Sequence, residues 1–308
     1  MKTINIANGP QNVSAIILGC MRMPALSVQG AADMIRTAAD QGINFFDHAT
    51  CYGDGEAETR FGDAFPASGL KREQVYLQSK CGLHFDRKEF DWSKEDIISS
   101  AEASLKRLKT DYLDVLLLHR PDLLFDPEEV AEAFDQLYQS GKVRHFGVSN
   151  VTPGQLELLR KFVRQPVIIN QLQFSLDQSQ LIDSGLYLNN LTTDRSISRD
   201  NGVLDYCRLH DITIQAWSPL QFGMFKGCFV DHPDFPELNH ALAELAAKYH
   251  VSKTAIAIAW ILRHPARMQA IAGTMNPDHL RDICAAAGVC LTHQEWYQLY
   301  LASGKFLP

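Results

Sequence analysis

Four residues in the first half of the chain carry side chains that could together perform acid–base chemistry on a carbonyl group. They are a carboxylate, a phenol, an ammonium group and an imidazole: Asp47, Tyr52, Lys80 and His119. A phenol is a poor acid at neutral pH, because its ordinary pKa is about 10. We predict that Lys80 lowers the pKa of Tyr52, and that Asp47 keeps Lys80 charged and oriented. His119 could donate a hydrogen bond to the carbonyl oxygen as negative charge develops on it.

These residues must be positioned by strands and helices, which alternate along the whole chain. The run at 112–119 is so continuously apolar that it suits a parallel strand covered on both faces. Between the strands, helical periodicity places apolar residues on one face, as with Ala31, Met34, Ile35 and Ala38 before Gly42. The predicted strands are residues 16–19, 43–47, 75–80, 112–119, 143–149, 167–170, 212–217 and 269–272.

Eight strand–helix units in a chain of 308 residues favour an α/β fold of the closed (β/α)8 (TIM) barrel type over an open doubly wound sheet. We predict a single domain over residues 1–308, with an N-terminal β-hairpin (3–6 and 13–15) and an extra C-terminal helix (293–302). A polar stretch at 189–200 interrupts the alternation. No G-x-G-x-x-G follows the first strand, which counts against a Rossmann domain.

The ends of the predicted strands carry polar or aromatic side chains. In order they are Asp47, Lys80, His119, Ser149, Asn150, Asn170, Gln171, Trp217 and Ser218, and Tyr52 follows Asp47 by five residues. The packing of an apolar core does not require polar or aromatic side chains at the ends of the strands. Since the active site of a (β/α)8 barrel forms at the C-terminal ends of its strands, we expect these residues to share one site.

Several stretches around these residues resemble the motifs of a known family. Residues 46–53 (F-D-H-A-T-C-Y-G) are similar to the D-x-A-x-x-Y-G signature of aldo-keto reductases. Further family motifs are matched in order at 79–80, 117–121, 147–150 and 216–220, with 28 residues from Tyr52 to Lys80 and 39 from Lys80 to His119. The resemblance covers the chain from Gly19 to about Arg281. Each motif alone is weak evidence for the family, but five motifs matched in order are specific to it.

The resemblance implies an oxidoreductase that reduces aldehydes or ketones to alcohols with NAD(P)H. By position, Tyr52 would be the proton donor, with Asp47, Lys80 and His119 as its catalytic partners. The resemblance also implies a set of cofactor-binding residues from the nicotinamide end to the adenosine end: Ser149, Asn150, Gln171, Trp217, Ser218, Leu220, Gly273, Thr274, Asn276 and His279. Trp217 would stack on the nicotinamide, and a helix beginning after Asn276 suits an anion.

The sequence departs from the family at both ends of the expected site. Gly273 and His279 stand where many members carry a lysine and an arginine around the 2′-phosphate. We still favour NADP(H) over NAD(H), with Arg281 or a lysine from another loop as the substitute cation. At the substrate end, Met21 lies where several members have a tryptophan, and Arg120 replaces a tryptophan after the catalytic histidine. We therefore predict a substrate pocket that is less aromatic and more polar, suited to an anionic or hydroxylated carbonyl.

Composition excludes several other classes of function. The chain has 36 acidic and 29 basic residues and a formal charge of −7, so it lacks the basic surface that nucleic acid needs. No apolar run approaches the roughly 18 residues that span a bilayer, and the start lacks the apolar stretch of a secretory signal. The seven cysteines form no CxxC pair, which favours neither a zinc site nor disulfides. We predict a soluble cytoplasmic protein with a small-molecule substrate and no metal.

Two rival interpretations remain open. The first is a regulatory or binding protein that keeps the barrel and the cofactor as a redox sensor without useful turnover; the intact tetrad argues against it. The second is a metal-dependent barrel hydrolase, which would need ligands such as those of H-E-x-x-H, and that motif is absent from the sequence.

Overall fold

The chain forms a closed barrel of eight parallel strands surrounded by helices. The computed structural model describes residues 1–188, 190, 192–223 and 225–308. The barrel strands, labelled in chain order, are β1 (Ile16–Gly19), β2 (Phe45–Asp47), β3 (Tyr76–Cys81), β4 (Leu113–Leu118), β5 (Val143–Ser149), β6 (Val167–Gln173), β7 (Thr213–Trp217) and β8 (Gln269–Ala272). Each strand pairs with its neighbours in sequence, and β8 pairs with β1 to close the ring. The predicted (β/α)8 barrel is therefore confirmed.

Helices cover the outer face of the barrel. The described residues contain eleven α-helices: α1 (Val28–Asp40), α2 (Glu56–Ser68), α3 (Lys94–Leu108), α4 (Pro127–Gln139), α5 (Pro153–Phe162), α6 (Gln180–Leu186), α7 (Val203–Leu209), α8 (Pro236–Tyr249), α9 (Lys253–Leu262), α10 (Pro277–Cys284) and α11 (His293–Ala302). In α1 the predicted face, Ala31, Met34, Ile35 and Ala38, is buried. Across the described part of the chain, no helix combines the length and apolarity that a membrane span requires.

Strand β4 shows why the apolar runs of this sequence form inner strands. All six of its residues are buried. Its side chains alternate between the barrel interior and the layer of helices, and both environments exclude water. Apolar side chains are therefore favoured along the strand, and its one charged residue, Asp114, is paired with Arg72 at 2.7 Å. The predicted interpretation of 112–119 as a strand covered on both faces is confirmed.

Within the described residues, three short hairpins lie outside the barrel. The N-terminal one pairs Thr3–Ile4 with Val13–Ser14, as predicted, and leads directly into β1 at the N-terminal end of the strands. The other two were not expected from the sequence. One pairs Leu83–His84 with Glu89–Phe90 after β3, and the other pairs Gln221–Phe222 with Gly227–Cys228 after β7. Both follow the C-terminal ends of barrel strands, where the active site was predicted.

The polar stretch at 189–200 has more structure around it than the sequence indicated. The unpredicted helix α6 precedes it, and a short 3-10 helix (Asp194–Ser196) lies within it. Residues Asn189 and Leu191, which belong to this predicted stretch, lie outside the described residues. Buried Asp183 of α6 accepts hydrogen bonds from Ser179, Arg195 and Tyr300, which joins the stretch to helix α11.

Candidate active site

The four residues predicted to be catalytic come together at the C-terminal mouth of the barrel. Asp47 is the last residue of β2, Lys80 lies near the end of β3, and His119 directly follows β4. Tyr52 lies on the loop between β2 and α2. Asp47, Tyr52 and His119 line a cavity of about 1270 Å³ that opens at this end of the barrel. Among the described residues, no group of three His, Cys, Asp or Glu side chains is arranged to hold a metal ion.

A buried ion pair fixes the phenol of Tyr52. The Lys80 ammonium donates hydrogen bonds to Asp47 Oδ2 at 2.7 Å, to the His48 carbonyl oxygen at 2.8 Å and to the Tyr52 hydroxyl at 3.0 Å. Lys80 is fully buried and Asp47 nearly so. An ammonium group has three donors, and all three are used. The Tyr52 oxygen therefore accepts from Lys80, which leaves its own O–H free to donate towards the cavity.

The protonation states follow from this environment. Burial raises the pKa of Tyr52 to about 12, although the charge of Lys80 acts in the opposite direction. The predicted net lowering by Lys80 is therefore wrong, because the loss of solvent around the phenol outweighs the nearby cation. Burial also acts to lower the pKa of Lys80, but the charge and hydrogen bonds of Asp47 and Tyr52 outweigh it and raise that pKa. At neutral pH the site holds a neutral phenol beside an ammonium ion.

His119 is held neutral, and a cysteine contacts its ring. Burial, followed by the charges of Lys80 and Arg120, keeps the pKa of His119 well below its ordinary value. The Cys51 sulfur lies 3.5 Å from His119 Nδ1, and burial raises the pKa of this thiol to about 11. Since the thiol is protonated, its S–H is satisfied by donating to Nδ1. This contact favours the tautomer in which His119 Nε2 carries the proton.

The loop that carries Tyr52 is held from behind by a buried carboxylate. Gly55 has a φ of 87°, and a Cβ at this position would lie 2.7 Å from the Arg107 side chain. Arg107 pairs with fully buried Glu58 at 2.6 Å, and Glu58 accepts a further hydrogen bond from Ser79 of β3 at 2.5 Å. Glycine is required at position 55 for both the backbone conformation and the close approach. These contacts tie the loop to helices α2 and α3 and to the strand that carries Lys80.

The residues predicted to bind the nicotinamide form one connected group beside the catalytic residues. Asn150 has a φ of 61°, and its amide donates to Ser149 Oγ at 2.7 Å. The Trp217 indole N–H donates to Asn150 Oδ1 at 3.1 Å. Ser149 Oγ in turn donates to the Gln171 carbonyl oxygen at 2.9 Å. All four side chains line the cavity, so the structure brings them together as predicted.

The residues predicted for the other end of the cofactor are only partly brought together. Ser218, Leu220, Gly273, Thr274 and Asn276 line the cavity. His279 is exposed on the first turn of α10 and is not among the lining residues. The Asn276 side chain caps this helix, because its Oδ1 accepts from two backbone N–H groups of the first turn.

An arginine that the sequence analysis did not select reaches this end of the cavity. Arg22, on the loop after β1, donates from Nη1 to the Gly273 carbonyl oxygen at 3.0 Å. A Cβ at Gly273 would lie 3.0 Å from the same nitrogen. The Arg22 guanidinium therefore takes the space beside the backbone where a side chain at 273 would begin. Arg281, the cation considered in the sequence analysis, instead pairs with Asp278 at 2.5 Å.

The substrate end of the cavity is both aromatic and cationic. Met21 and Arg120 line it as predicted. Arg120 is half-buried, with its guanidinium carbon 5.5 Å from the Trp217 ring centroid, and it has no hydrogen-bond or ion-pair partner within the described ranges. Aromatic side chains from the two unpredicted hairpins also line the cavity: Phe85, Phe90 and Phe225. The sequence analysis did not anticipate these rings, because they come from segments with no strand signal in the sequence.

The barrel interior below Asp47 contains a second set of residues that the sequence analysis missed. Gln78, Gln171, Gln215 and Gln269 are all buried there, and only Gln171 had been predicted as a site residue. Gln78 and Gln171 both donate to Asp47 Oδ1, at 2.6 and 3.1 Å. The sequence could have predicted the position of Gln78, because it lies two residues before Lys80 and therefore faces the same side of its strand.

A barrel with this set of side chains at its mouth is the architecture of a family of oxidoreductases. Residues 15–300 match the sequence profile of the Aldo/keto reductase family. The chain therefore belongs to the aldo/keto reductase family, and the resemblance noted in the sequence is confirmed.

Individual relatives show how far the similarity extends. The chain is 35% identical over 281 residues to a 6-dehydroglucose reductase of Agrobacterium fabrum, covering 88% of this chain and 87% of that protein. It is 33% identical over 314 residues to the oxidoreductase YdhF of Escherichia coli, covering 98% of both. Among solved structures, an aldo/keto reductase of Klebsiella pneumoniae in complex with NADP and acetate is 28% identical, with a TM-score of 0.75, covering 97% of this chain and 94% of that one.

Proposed function

We propose that this protein is an NADP(H)-dependent reductase of aldehydes that carry hydroxyl or carboxylate groups. The observation that carries the proposal is that the Lys80 ammonium uses all three of its donors in hydrogen bonds. The Tyr52 O–H is therefore left pointing to the cavity. A neutral phenol in that position is a proton donor for a carbonyl oxygen.

The cavity fits a dinucleotide. Its volume of about 1270 Å³ exceeds that of most small-ligand pockets, which hold roughly 300–1,000 Å³. Ser149, Asn150 and Gln171 would hold the carboxamide at one end, with Trp217 against the ring. At the other end, Gly273 has no side chain, and the Arg22 guanidinium lies against its backbone. When bound, a reduced nicotinamide supplies the hydride that the carbonyl carbon receives.

Tyr52 and His119 perform the acid chemistry in this proposal. The substrate carbonyl oxygen accepts hydrogen bonds from the Tyr52 O–H and from His119 Nε2–H. As negative charge grows on that oxygen, Tyr52 transfers its proton, and the resulting phenolate is stabilised by the Lys80 ammonium 3.0 Å away. Asp47 holds Lys80 in position throughout. His119 stays neutral and acts as a hydrogen-bond donor.

Arg22 supports the choice of NADP(H). It supplies a cation at Gly273, where the usual lysine side chain is missing, and so replaces that charge from the loop after β1. Arginine suits this role because its planar guanidinium matches the geometry of a phosphate. We propose Arg22, rather than Arg281, as the residue that contacts the 2′-phosphate. Arg281 is already paired with Asp278.

Arg120 supports the choice of substrate. Its guanidinium lies at the cavity wall beside Trp217 without a carboxylate partner in the described part of the chain. A carboxylate or several hydroxyl groups on the substrate would satisfy it. The relative from Agrobacterium fabrum is named for reducing 6-dehydroglucose, an aldehyde that carries hydroxyl groups.

Turnover of a small panel of aldehydes, followed by loss of NADPH absorbance, tests the proposed function. The panel contains a hydroxylated aldehyde (glyceraldehyde), an acidic one (succinate semialdehyde) and an apolar one (benzaldehyde). We expect turnover of the first two to be faster, and Tyr52→Phe to lower kcat by about 10²–10⁴-fold with little change in NADPH affinity. A wild-type chain that binds NADPH but reduces none of the panel would support a redox-sensor role instead. Retained turnover in Tyr52→Phe would refute the proposed acid.

A further inference from the structure

Four glutamines fill the barrel beneath the catalytic carboxylate, one from each of four strands. They are Gln78 of β3, Gln171 of β6, Gln215 of β7 and Gln269 of β8. Gln78, Gln215 and Gln269 are fully buried, and Gln171 is 3% exposed. An amide buried in a barrel core destabilises the fold unless its donors and acceptor find partners. These amides bond to one another, to the Ser14 carbonyl oxygen and to Asp47.

The hydrogen bonds run without a break from the floor of the barrel to Asp47. Gln269 Nε2 donates to the Ser14 carbonyl oxygen at 2.8 Å, and Gln215 Nε2 donates to Gln269 Oε1 at 3.0 Å. Gln215 Oε1 accepts from Gln78 Nε2 at 2.9 Å and from Gln171 Nε2 at 3.0 Å. The same two nitrogens donate their second protons to Asp47 Oδ1, at 2.6 and 3.1 Å.

The floor fixes the orientation of every amide above it. The Ser14 carbonyl oxygen can only accept, so Gln269 must turn its NH2 group downwards and its oxygen towards Gln215. Gln215 must then point its own NH2 group at Gln269 and its oxygen at Gln78 and Gln171. Those two side chains are left with N–H donors facing the carboxylate. A reversed amide at any point would set oxygen against oxygen.

We propose that Gln78 and Gln215 are positioning residues that hold the Asp47 carboxyl group with Oδ2 turned towards Lys80. This inference rests on the proposed function, because it assigns a role within the same proton-donating site. The two N–H donors on Oδ1 fix the orientation of the carboxyl group, with Oδ2 2.7 Å from the Lys80 ammonium. Asp47 in this orientation keeps Lys80 an ammonium, and the ammonium keeps the Tyr52 O–H aimed at the substrate.

Burying Gln78 at this position destabilises the fold, which indicates that the residue has a functional role. Its Oε1 atom is buried without a hydrogen-bond partner in the described part of the chain. An apolar side chain of the same size would avoid this orphaned acceptor. Only the NH2 group of Gln78 is used, and one of its two protons goes to Asp47. Gln171 also lines the cavity, but Gln78 does not, so Gln78 can affect catalysis without touching the cofactor.

The test compares Gln78→Met with a control on the same strand, Leu77→Met, which swaps an apolar side chain facing the other way. We expect kcat of Gln78→Met to fall by about tenfold to a hundredfold, as for the loss of one hydrogen bond to a charged group. The KM for NADPH should not change, so the loss falls on kcat alone. NADPH affinity, measured by quenching of tryptophan fluorescence, should not change. The titratable groups that face Asp47 are Lys80, Tyr52 and Cys20, and neither substitution alters them.

Gln269→Met provides a second variant, far from the reacting atoms, in case Gln78→Met does not fold. Because it removes the constraint that orients the chain of amides, it should lower kcat by a smaller factor, again with no change in the KM for NADPH. Values of kcat for Gln78→Met and Gln269→Met that coincide with that of Leu77→Met would overturn the inference and leave the proposed function standing. A wild-type chain that reduces no aldehyde would refute the proposed function and the inference with it.

Discussion

Replacing Lys80 by methionine tests the buried ion pair on which the candidate site is built. The ammonium lies 2.7 Å from Asp47, and the two side chains are 0% and 3% exposed. Methionine fills a similar volume but cannot carry charge or donate a hydrogen bond. The substitution therefore leaves Asp47 as a buried carboxylate whose remaining donors are the amides of Gln78 and Gln171.

The expected loss of stability can be worked from these contacts. Removing one partner of a buried ion pair costs about 3–5 kcal/mol, because the other charge stays buried without compensation. The two remaining N–H donors on Asp47 place the value at the lower end, about 3 kcal/mol. Whole domains are stable by only about 5–15 kcal/mol, so the variant should remain folded but weakened. Adding Asp47→Asn removes the uncompensated charge and should recover about 1–2 kcal/mol.

Urea unfolding at neutral pH, followed by circular dichroism, measures these differences as shifts in the free energy of unfolding. Leu77→Met on the same strand serves as the packing control. The reasoning fails if Lys80→Met costs no more than the control. It also fails if the double variant is no more stable than Lys80→Met alone, because the loss would then come from packing and not from an unpaired charge.

Four further predictions follow from the site and its surroundings. The rate of carbonyl reduction should be constant from about pH 6 to 9 and fall only at more alkaline pH. Tyr52 must be protonated to act, and its pKa of about 12 keeps it protonated over this range, while His119 stays neutral. A change in rate near neutral pH would contradict this prediction. Arg22→Ala should weaken NADPH binding about tenfold and leave NADH binding unchanged, whereas equal weakening of both in fluorescence titrations would refute a 2′-phosphate contact. Arg120→Met should lower kcat/KM for succinate semialdehyde by about tenfold to a hundredfold relative to benzaldehyde, and an equal loss on both substrates would count against recognition of the anion. His48 is buried, and burial, followed by the charge of Lys80, lowers its pKa to about 3. Both ring nitrogens lack hydrogen-bond partners within the described ranges, so His48→Leu should raise the free energy of unfolding in urea by about 1 kcal/mol. A lower urea midpoint would show that the packing of the ring outweighs the cost of the unpaired nitrogens.

The barrel was predictable because its signal is local. The inner strands are short runs rich in apolar residues, and a polar residue at or just after the end of a strand marks the C-terminal mouth, as Asp47 does for β2 and His119 for β4. The helices repeat apolar residues at a period that fits one buried face. Both signals are contained within a few residues of sequence. The order of the strands around the ring then follows from their order in the chain.

The features that were missed depend on contacts between distant parts of the chain. Arg22 meets Gly273 across 251 residues, and nothing near either position predicts the meeting. The hairpin that carries Phe85 and Phe90 has strands of two residues, too short to show alternation. The pKa of Tyr52 was misjudged for a related reason: a sequence shows which charges are near, but not how completely the phenol is removed from water.

The buried position of Lys80 and Asp47 also determines how the site is reset after each reaction. In the proposed mechanism Tyr52 ends the chemical step as a phenolate, and the groups behind it are enclosed by the barrel. Its proton must therefore be replaced from the cavity side, the side on which the substrate sat. Reprotonation then waits until the alcohol product makes room for water. Proton uptake then follows product departure, so a solvent isotope effect on steady-state turnover would report the opening of the mouth as well as the transfer of the proton.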